Sequence, residues 1–243
     1  MKTLTKYFGG VAALKDVSFD VPQNQICGFI GPNGAGKTTL FSVITGAHKP
    51  SAGKVQLRGN DVTGMAPAAL VKKGVTRTHQ IVRPFRLMTV LDNVQLAVHY
   101  VRYPVTRTGA AREKAMERLK QVALDKKANR MASELSLGDQ KRLEVARALA
   151  TDPELILLDE ICGGLNASET RVMLDLIKRI REQGTTIMYV EHDMKAIMSI
   201  CDRITVLNFG QKLGEGKPEE IQKNEAVIEA YLGKSSVGSA PRA

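Results

Sequence analysis

The sequence predicts an α/β fold built on a largely parallel sheet, and three observations carry that expectation. Short apolar runs at 26–30, 155–158, 185–190 and 204–207 alternate with stretches of helical periodicity. A glycine-rich octapeptide, Gly31-Pro32-Asn33-Gly34-Ala35-Gly36-Lys37-Thr38, stands directly behind the first run. An acidic pair, Asp159-Glu160, closes the second. Alternating strands and helices are the pattern of a sheet covered by helices.

The elements can be taken in chain order. Residues 26–30 are apolar enough to read as a buried strand, and 39–45 as the helix after the glycine-rich turn. Asp152-Pro153 stops a helix just before the strand at 155–158, because the residue ahead of proline disfavours helical geometry. Asn166 is a good N-cap with Glu169 at the capping-box position. Met173, Leu176, Ile177 and Ile180 then recur at helical spacing until Gly184. The β-branched run 185–190 gives a third strand and 204–207 a fourth, with Gly210 turning the chain into a further short strand. Residues 89–124 lack strand signals and read as helical, with interruptions at Tyr103-Pro104 and Gly109. The expected division is therefore a core of 1–87 and 136–243, a helical lobe of 88–135 and a flexible Ser-, Gly- and Pro-containing tail at 234–243.

Length and composition narrow the function. The chain has 243 residues, of which 43% are hydrophobic and 25% charged, enough for a full core. No apolar run approaches the about 20 residues that span a bilayer, and no signal core opens the chain, so a place on the cytoplasmic side is expected. Cys27, Cys162 and Cys201 lie far apart in apolar or mixed surroundings and read as reduced core thiols. The net charge of +10 is uneven: residues 72–147 hold 17 Lys and Arg against 7 Asp and Glu. Such a segment faces nucleic acid, anionic lipid or an acidic partner, or is a solvated helical face. No nucleic-acid-binding signature accompanies it, so no nucleic acid is expected.

The octapeptide matches the phosphate-binding P-loop in full. Its glycines let successive backbone N–H groups curl toward phosphate oxygens, and the helix behind it adds its dipole. Lys37 would reach the β- and γ-phosphates, and Thr38 would ligate Mg²⁺. Asp159, at the carboxyl end of a strand, would take the metal, leaving Glu160 to polarise an attacking water. Leu135-Ser136-Leu137-Gly138-Asp139-Gln140 opens another helix, with Ser136 as N-cap and Asp139 at the capping-box position. Ser136, Gly138 and the helix dipole form a candidate anion site.

Together with the strand-ending Glu191-His192, this ordered set resembles the ABC ATPase family over nearly the whole chain. The resemblance implies a P-loop NTPase core with a mostly parallel sheet, an antiparallel β edge and a helical subdomain. It implies ATP and Mg²⁺, and a head-to-tail homodimer, or a heterodimer with a homologous ATPase, in which Ser136 and Gly138 of one subunit close on the nucleotide of the other. Gly31 to Thr38 and Thr39 would hold the phosphates, and Phe8, ahead of Gly9-Gly10, would stack on adenine. Gln80 would contact metal and water, His192 the γ-phosphate, and Gly163-Gly164-Leu165-Asn166 would couple the two sites. The motifs Phe8-Gly9-Gly10, Thr78-His79-Gln80, Glu191-His192-Asp193-Met194, Asp202-Arg203-Ile204 and Glu229-Ala230-Tyr231-Leu232-Gly233 are similar to the branched-chain amino acid importer subgroup. That subgroup implies transmembrane permease subunits, an external solute-binding protein and a peripheral position on the cytoplasmic membrane face. Urea, short amides or lipopolysaccharide are the alternative cargoes, and a soluble ABC protein acting on DNA or ribosomes is the rival class. A non-catalytic cassette would be expected to lose Glu160 or His192, and both are present. The chain departs from the family pattern at Asp139 (Gln or Glu is usual), at His79 (an aromatic is common), at Ile161 (proline is usual) and in a shortened first strand.

Overall fold

The structure, a computed structural model, describes residues 1–78, 83–99 and 107–232. In chain order the first half runs β1 (Lys2–Phe8), β2 (Val11–Val17), β3 (Ile26–Ile30), α1 (Lys37–Ile44), β4 (Ala52–Lys54), β5 (Gln56–Leu57), β6 (Asn60–Asp61), α2 (Pro67–Lys72) and β7 (Val75–Arg77). Then come α3 (Val90–His99), α4 (Thr108–Gln121), α5 (Leu137–Leu149), β8 (Leu155–Asp159), α6 (Ala167–Glu182), β9 (Thr186–Val190), α7 (Met194–Ile200), β10 (Arg203–Asn208), β11 (Gln211–Gly216), α8 (Pro218–Ile221) and α9 (Glu225–Leu232). The main sheet has the order β11-β10-β3-β9-β8-β7, parallel throughout except for β11, which folds back on β10. The turn between them places Phe209 and Gly210 at positive φ (45° and 74°), and a Cβ at Gly210 would meet the Ala13 carbonyl at 2.7 Å. An antiparallel sheet β2-β1-β4 flanks the core. The first strand thus forms over Lys2–Phe8 despite its expected shortening.

The two-residue period of the strands explains why their sequences are apolar without interruption. In β3, Ile26 and Ile30 face one hydrophobic cluster with Ile156, Leu158 and Tyr189, whereas Cys27 and Phe29 face a second with Leu157, Met188 and Phe41. A strand with helices on one side, and helices α1 and α2 together with a second sheet on the other, has no solvent face. Gly28 belongs to this packing, since a Cβ there would sit 2.8 Å from Cys201 Sγ on the neighbouring turn of chain after α7.

The helices obey their signals. Asn166 caps α6 by accepting from the backbone N–H groups of Ser168 and Glu169, and Glu169 returns the bond to Asn166. Met173, Leu176, Ile177 and Ile180 are its buried face. Two expectations are corrected. Gly109 does not interrupt the helical segment but lies in the first turn of α4, where a glycine costs less than in the interior; Tyr103-Pro104 lies outside the described residues. The helix behind the P-loop begins at Lys37 rather than Thr39, because Gly36 at φ 99° turns the chain straight into it. The 234–243 tail also lies outside the described residues.

Several cations of the basic segment are structural. Lys114 and Arg118 of α4 clasp Asp152 ahead of β8, and Lys127 and Arg142 enclose Asp139. Burial pushes the Asp139 carboxyl up, but the hydrogen bonds from Lys127 and Arg142 outweigh it and hold it below the usual range. These bonds occupy the side chain that a reciprocal capping box would need, so the cap at α5 is one-sided: Ser136 Oγ accepts from the Asp139 N–H at 3.3 Å.

All three cysteines are free and buried, as expected. Burial pushes the Cys27 thiol up to about 12 and the Cys162 thiol up to about 11, and raises Cys201 as well. The native protein at pH 8 is therefore expected to resist a disulfide reagent such as dithionitrobenzoate, and all three thiols to react in guanidinium chloride. A thiol that reacts in the native state at the rate of free cysteine contradicts this packing.

Candidate active site

The site is assembled by strand register. Asp159 of β8 and Phe29 of β3 both pair with Val190 of β9, so the three strands end at one level. The segments leaving these strands are thereby gathered on one sheet edge: the P-loop after β3, Glu160 after β8, Glu191-His192 after β9. The Glu160 N–H donates to the Val190 carbonyl at 2.9 Å. Glu160 Oε1 lies 2.5 Å from His192 Nε2. Both side chains line a cleft of ≈ 450 Å³ with residues 33–39 of the P-loop and Ala13 of β2.

Within the loop, Gly36 adopts φ 99°, and a Cβ there would stand 2.6 Å from the Ala13 carbonyl. Lys37 is buried, and its ammonium donates to the carbonyls of Gly31 (2.6 Å) and Pro32 (3.0 Å). Burial lowers its pKa, and the negative charges of Glu160 and Asp159 act against that shift. Asn33, Gly34 and Thr38 are exposed to the cleft, Thr39 and Pro32 half-buried, Gly31 and Ala35 buried. No acidic residue occupies the first turn of α1, so its N-terminus is left for an outside anion. These features fit the phosphates of a nucleotide.

The donor set also fits Mg²⁺, a hard cation that prefers oxygen ligands and keeps water and phosphate around it. The Thr38 hydroxyl and the Asp159 carboxylate supply oxygens, and no cluster of three or more His, Cys, Asp or Glu ligands exists among the described residues. Asp159 is 2% exposed and its Oδ2 lies 2.5 Å from Arg77 Nη2. Gln80, the remaining expected ligand, lies outside the described residues, as does His79.

Behind Glu160 stands a buried layer that sequence reasoning did not find. Glu160 adopts a left-handed φ of 49°, which costs a non-glycine residue on the order of 1 kcal/mol or more. Its carbonyl accepts from Lys141 Nζ at 3.1 Å and from the Gly163 N–H at 3.2 Å. Lys141 belongs to α5 and is 4% exposed; burial lowers its pKa, countered first by Glu191. Glu191, also buried, accepts the Cys162 N–H at 2.6 Å, and burial raises its carboxyl. The turn 160–163 is thus held from both sides. A lysine on the otherwise buried face of α5, beside Leu143, Glu144 and Ala148, was the available signal.

Other expected residues stand apart. Phe8, half-exposed at the end of β1, packs edge-on to His48 at 5.2 Å and under Lys6, outside the cleft lining. Ser136 is exposed, whereas Gly138 is buried against Glu169, whose Oε1 would meet a Cβ at 2.8 Å. Gly138 lines a separate, smaller cleft with Arg142, Leu165 and Glu169. One chain therefore does not bring Ser136 and Gly138 into its own P-loop cleft.

A P-loop behind a parallel strand, with strand-end acids beside it, defines a nucleotide-hydrolysing cassette. A family model described as ABC transporter matches residues 14–163, and one described as branched-chain amino acid ATP-binding cassette transporter matches 211–236. The chain belongs to the ABC transporter ATP-binding family and is an ATPase of that class. It is 43% identical over 241 residues to the high-affinity branched-chain amino acid transport ATP-binding protein LivG of Salmonella typhimurium, covering 94% of each chain. It is 41% identical to the protein BraF of Pseudomonas aeruginosa, described in the same words, over 96% of each. Among solved structures, an ABC transporter cassette in its ADP conformation superposes with a TM-score of 0.87 at 31% identity, covering 96% of this chain and 97% of that one. A dimeric cassette bound to ADP and Pi gives 0.79 at 30%, covering 89% and 97%.

Because Lys141 fixes the backbone of Glu160, Lys141→Met is expected to lower kcat on the order of 10- to 100-fold with little change in KM for ATP. Steady-state ATPase assays of Lys141→Met beside Lys141→Arg, which restores a donor, test this. A Lys141→Met variant with normal kcat removes Lys141 from the support of Glu160.

Proposed function

We propose that this chain energises the import of branched-chain amino acids through separate permease subunits fed by an external solute-binding protein, with ATP and Mg²⁺ as its nucleotide and metal. The observation that carries the catalytic part is the Glu160–His192 pair, 2.5 Å apart at the mouth of the P-loop cleft. The cargo rests on the family match over 211–236 and on the named transport relatives. The chain works on the cytoplasmic face of the membrane; no helix of the described residues is long and apolar enough to cross it.

The chemistry rests on the side chains. The P-loop N–H groups and Lys37 bind and neutralise the β- and γ-phosphates. Thr38, Asp159 and Gln80 hold the metal, which when bound shields the phosphate charge. Glu160 orients and polarises the attacking water, and His192, hydrogen-bonded to Glu160, holds the γ-phosphate in line with it. Phe8 supplies an exposed ring for adenine. Ser136 and Gly138 of a second cassette close the site, in keeping with their separation from the P-loop cleft of their own chain and with the dimeric neighbour.

The proposed permease contact is Val82 to Met88 with the start of the helical lobe, of which residues 83–88 are described. Asn93, fully buried, accepts the Phe85 N–H at 2.8 Å and donates to the carbonyls of Phe85 (3.0 Å) and Thr89 (2.9 Å), which fixes this loop on α3. Leu87 is 90% exposed, and Phe85 is 45% exposed beneath the Arg147 guanidinium. Apolar side chains presented by a fixed loop among Arg83 and Arg86 suit a helix of mixed apolar and acidic character. Val82 itself lies outside the described residues.

Lys37→Ala is expected to abolish Mg²⁺-dependent ATPase activity, and Glu160→Gln to keep ATP binding, lose hydrolysis by at least about 100-fold and accumulate dimers with ATP. Ser136→Arg in the Glu160→Gln background should disperse those dimers. Light scattering and phosphate release, on the cassette and on the reconstituted complex, provide the readouts. Hydrolysis at the wild-type rate by Glu160→Gln would end the assignment of the base.

Charge reversal of Arg83 and Arg86 together should weaken assembly with the permease and uncouple transport while basal ATPase persists. Normal assembly and transport by that double variant places the contact elsewhere.

A further inference from the structure

The carboxylate assigned to the metal already has a cationic partner inside the chain. Arg77 ends β7, and β7 pairs with β8 so that Arg77 stands beside Leu157. Its Nη2 reaches Asp159 Oδ2 at 2.5 Å, and its Nη1 donates to Ser42 Oγ at 3.1 Å. Ser42 Oγ in turn donates to the Thr38 carbonyl at 2.8 Å. The guanidinium also lies over the Phe41 ring, 5.7 Å from its centre. One planar fork therefore joins the end of β8 to the turn of α1 that carries the P-loop hydroxyl. A lysine, with a single point charge on a flexible stem, would not span both partners in this way.

The placement is not that of an ordinary core staple. Both hydrogen bonds run to elements of the site, and Nε is buried with no hydrogen-bond partner among the described residues. Leaving a buried donor unsatisfied is costly, so the fork is held by its Nη side and the charge it delivers there. Asp159 is almost completely buried, and a carboxylate in that position needs a positive charge nearby. Arg77 provides it through Oδ2.

We propose that Arg77 is the resident counter-ion of the metal carboxylate. It holds Asp159 in the orientation that metal binding uses, and it keeps the nucleotide-free site from collecting a divalent cation. The metal then enters with the nucleotide, whose phosphates supply the negative charge that Asp159 alone, already neutralised, does not. This inference rests on the assignment of Asp159 to the metal. Arg77 is a positioning residue and touches neither substrate nor the reacting atoms.

Titration of the full-length, nucleotide-free protein with Mn²⁺, followed by the loss of free-ion paramagnetic resonance signal, reads the proposal without turnover. Arg77→Gln is expected to bind Mn²⁺ on the order of tenfold more tightly than wild type, because one repelling charge has left the site. Arg77→Lys, which keeps the charge, should stay near wild type. Arg77→Met, a second charge-free variant that serves if Arg77→Gln does not fold, should shift in the same direction by a similar factor, and Ser42→Ala, which keeps the charge on Asp159, should stay near wild type. A merely structural arginine would lower or leave unchanged the affinity on removal, and no tightening in either Arg77→Gln or Arg77→Met overturns the proposal. Asp159→Asn separates the two assignments. If it leaves Mn²⁺ binding in the presence of ADP unchanged, the assignment of Asp159 itself fails. If it weakens that binding while Arg77→Gln tightens nothing, only the role given to Arg77 falls.

Discussion

The register shared by β3, β9 and β8 is the constraint on which the site depends. Val190 pairs with Phe29 on one side and Asp159 on the other, so the chain leaves all three strands at the same edge. A slip of one residue in β8 would invert its side chains. Asp159 would leave Arg77, Glu160 would leave His192, and the alternating residues Ile156 and Leu158 would exchange clusters with Leu155 and Leu157. Packing on both faces of the sheet forbids that slip, and the geometry of catalysis inherits the precision of the core.

Electrostatics supplies the second layer. Lys37, Arg77 and Lys141 are set among Asp159, Glu160 and Glu191 at or behind the sheet edge, and each cation meets a carboxylate or a backbone carbonyl. Breaking one such buried pair leaves an uncompensated charge and costs several kcal/mol, roughly 3–5 in measured cases. The arrangement fixes dipoles in advance of the reaction, which is how a site stabilises developing charge without reorganising. The same principle fastens the helical segment to the sheet. The clasp of Lys114 and Arg118 on Asp152, and of Lys127 and Arg142 on Asp139, engages four of the 17 cations that the sequence concentrates between residues 72 and 147.

Division of labour between separate surfaces completes the picture. Ser136 and Gly138 head α5, whose buried Lys141 supports Glu160, so the helix carrying the second nucleotide-contact candidate also braces the turn of the proposed base. A rotation of that helix would reach Glu160 through one hydrogen bond. Gly138 has no room for a side chain because Glu169, the capping residue of α6, already lies against it.

The sequence by itself determined everything governed by neighbours along the chain. The P-loop, the strand-ending acids, the Asn166 capping box and the apolar faces of α6 and β3 depend on residues within a few positions of one another, where spacing reports geometry directly. Only the tertiary structure decided the pairing of distant charges. Arg77 is 82 positions from Asp159, Lys141 19 from Glu160 and Cys162 29 from Glu191. Helical spacing could place Lys141 on the buried face of α5, but nothing local marks the partner that it or a strand-end arginine meets. That partner is chosen by the crossover that lays one strand or helix against another, and burial then turns a weak attraction in water into a strong, directional one.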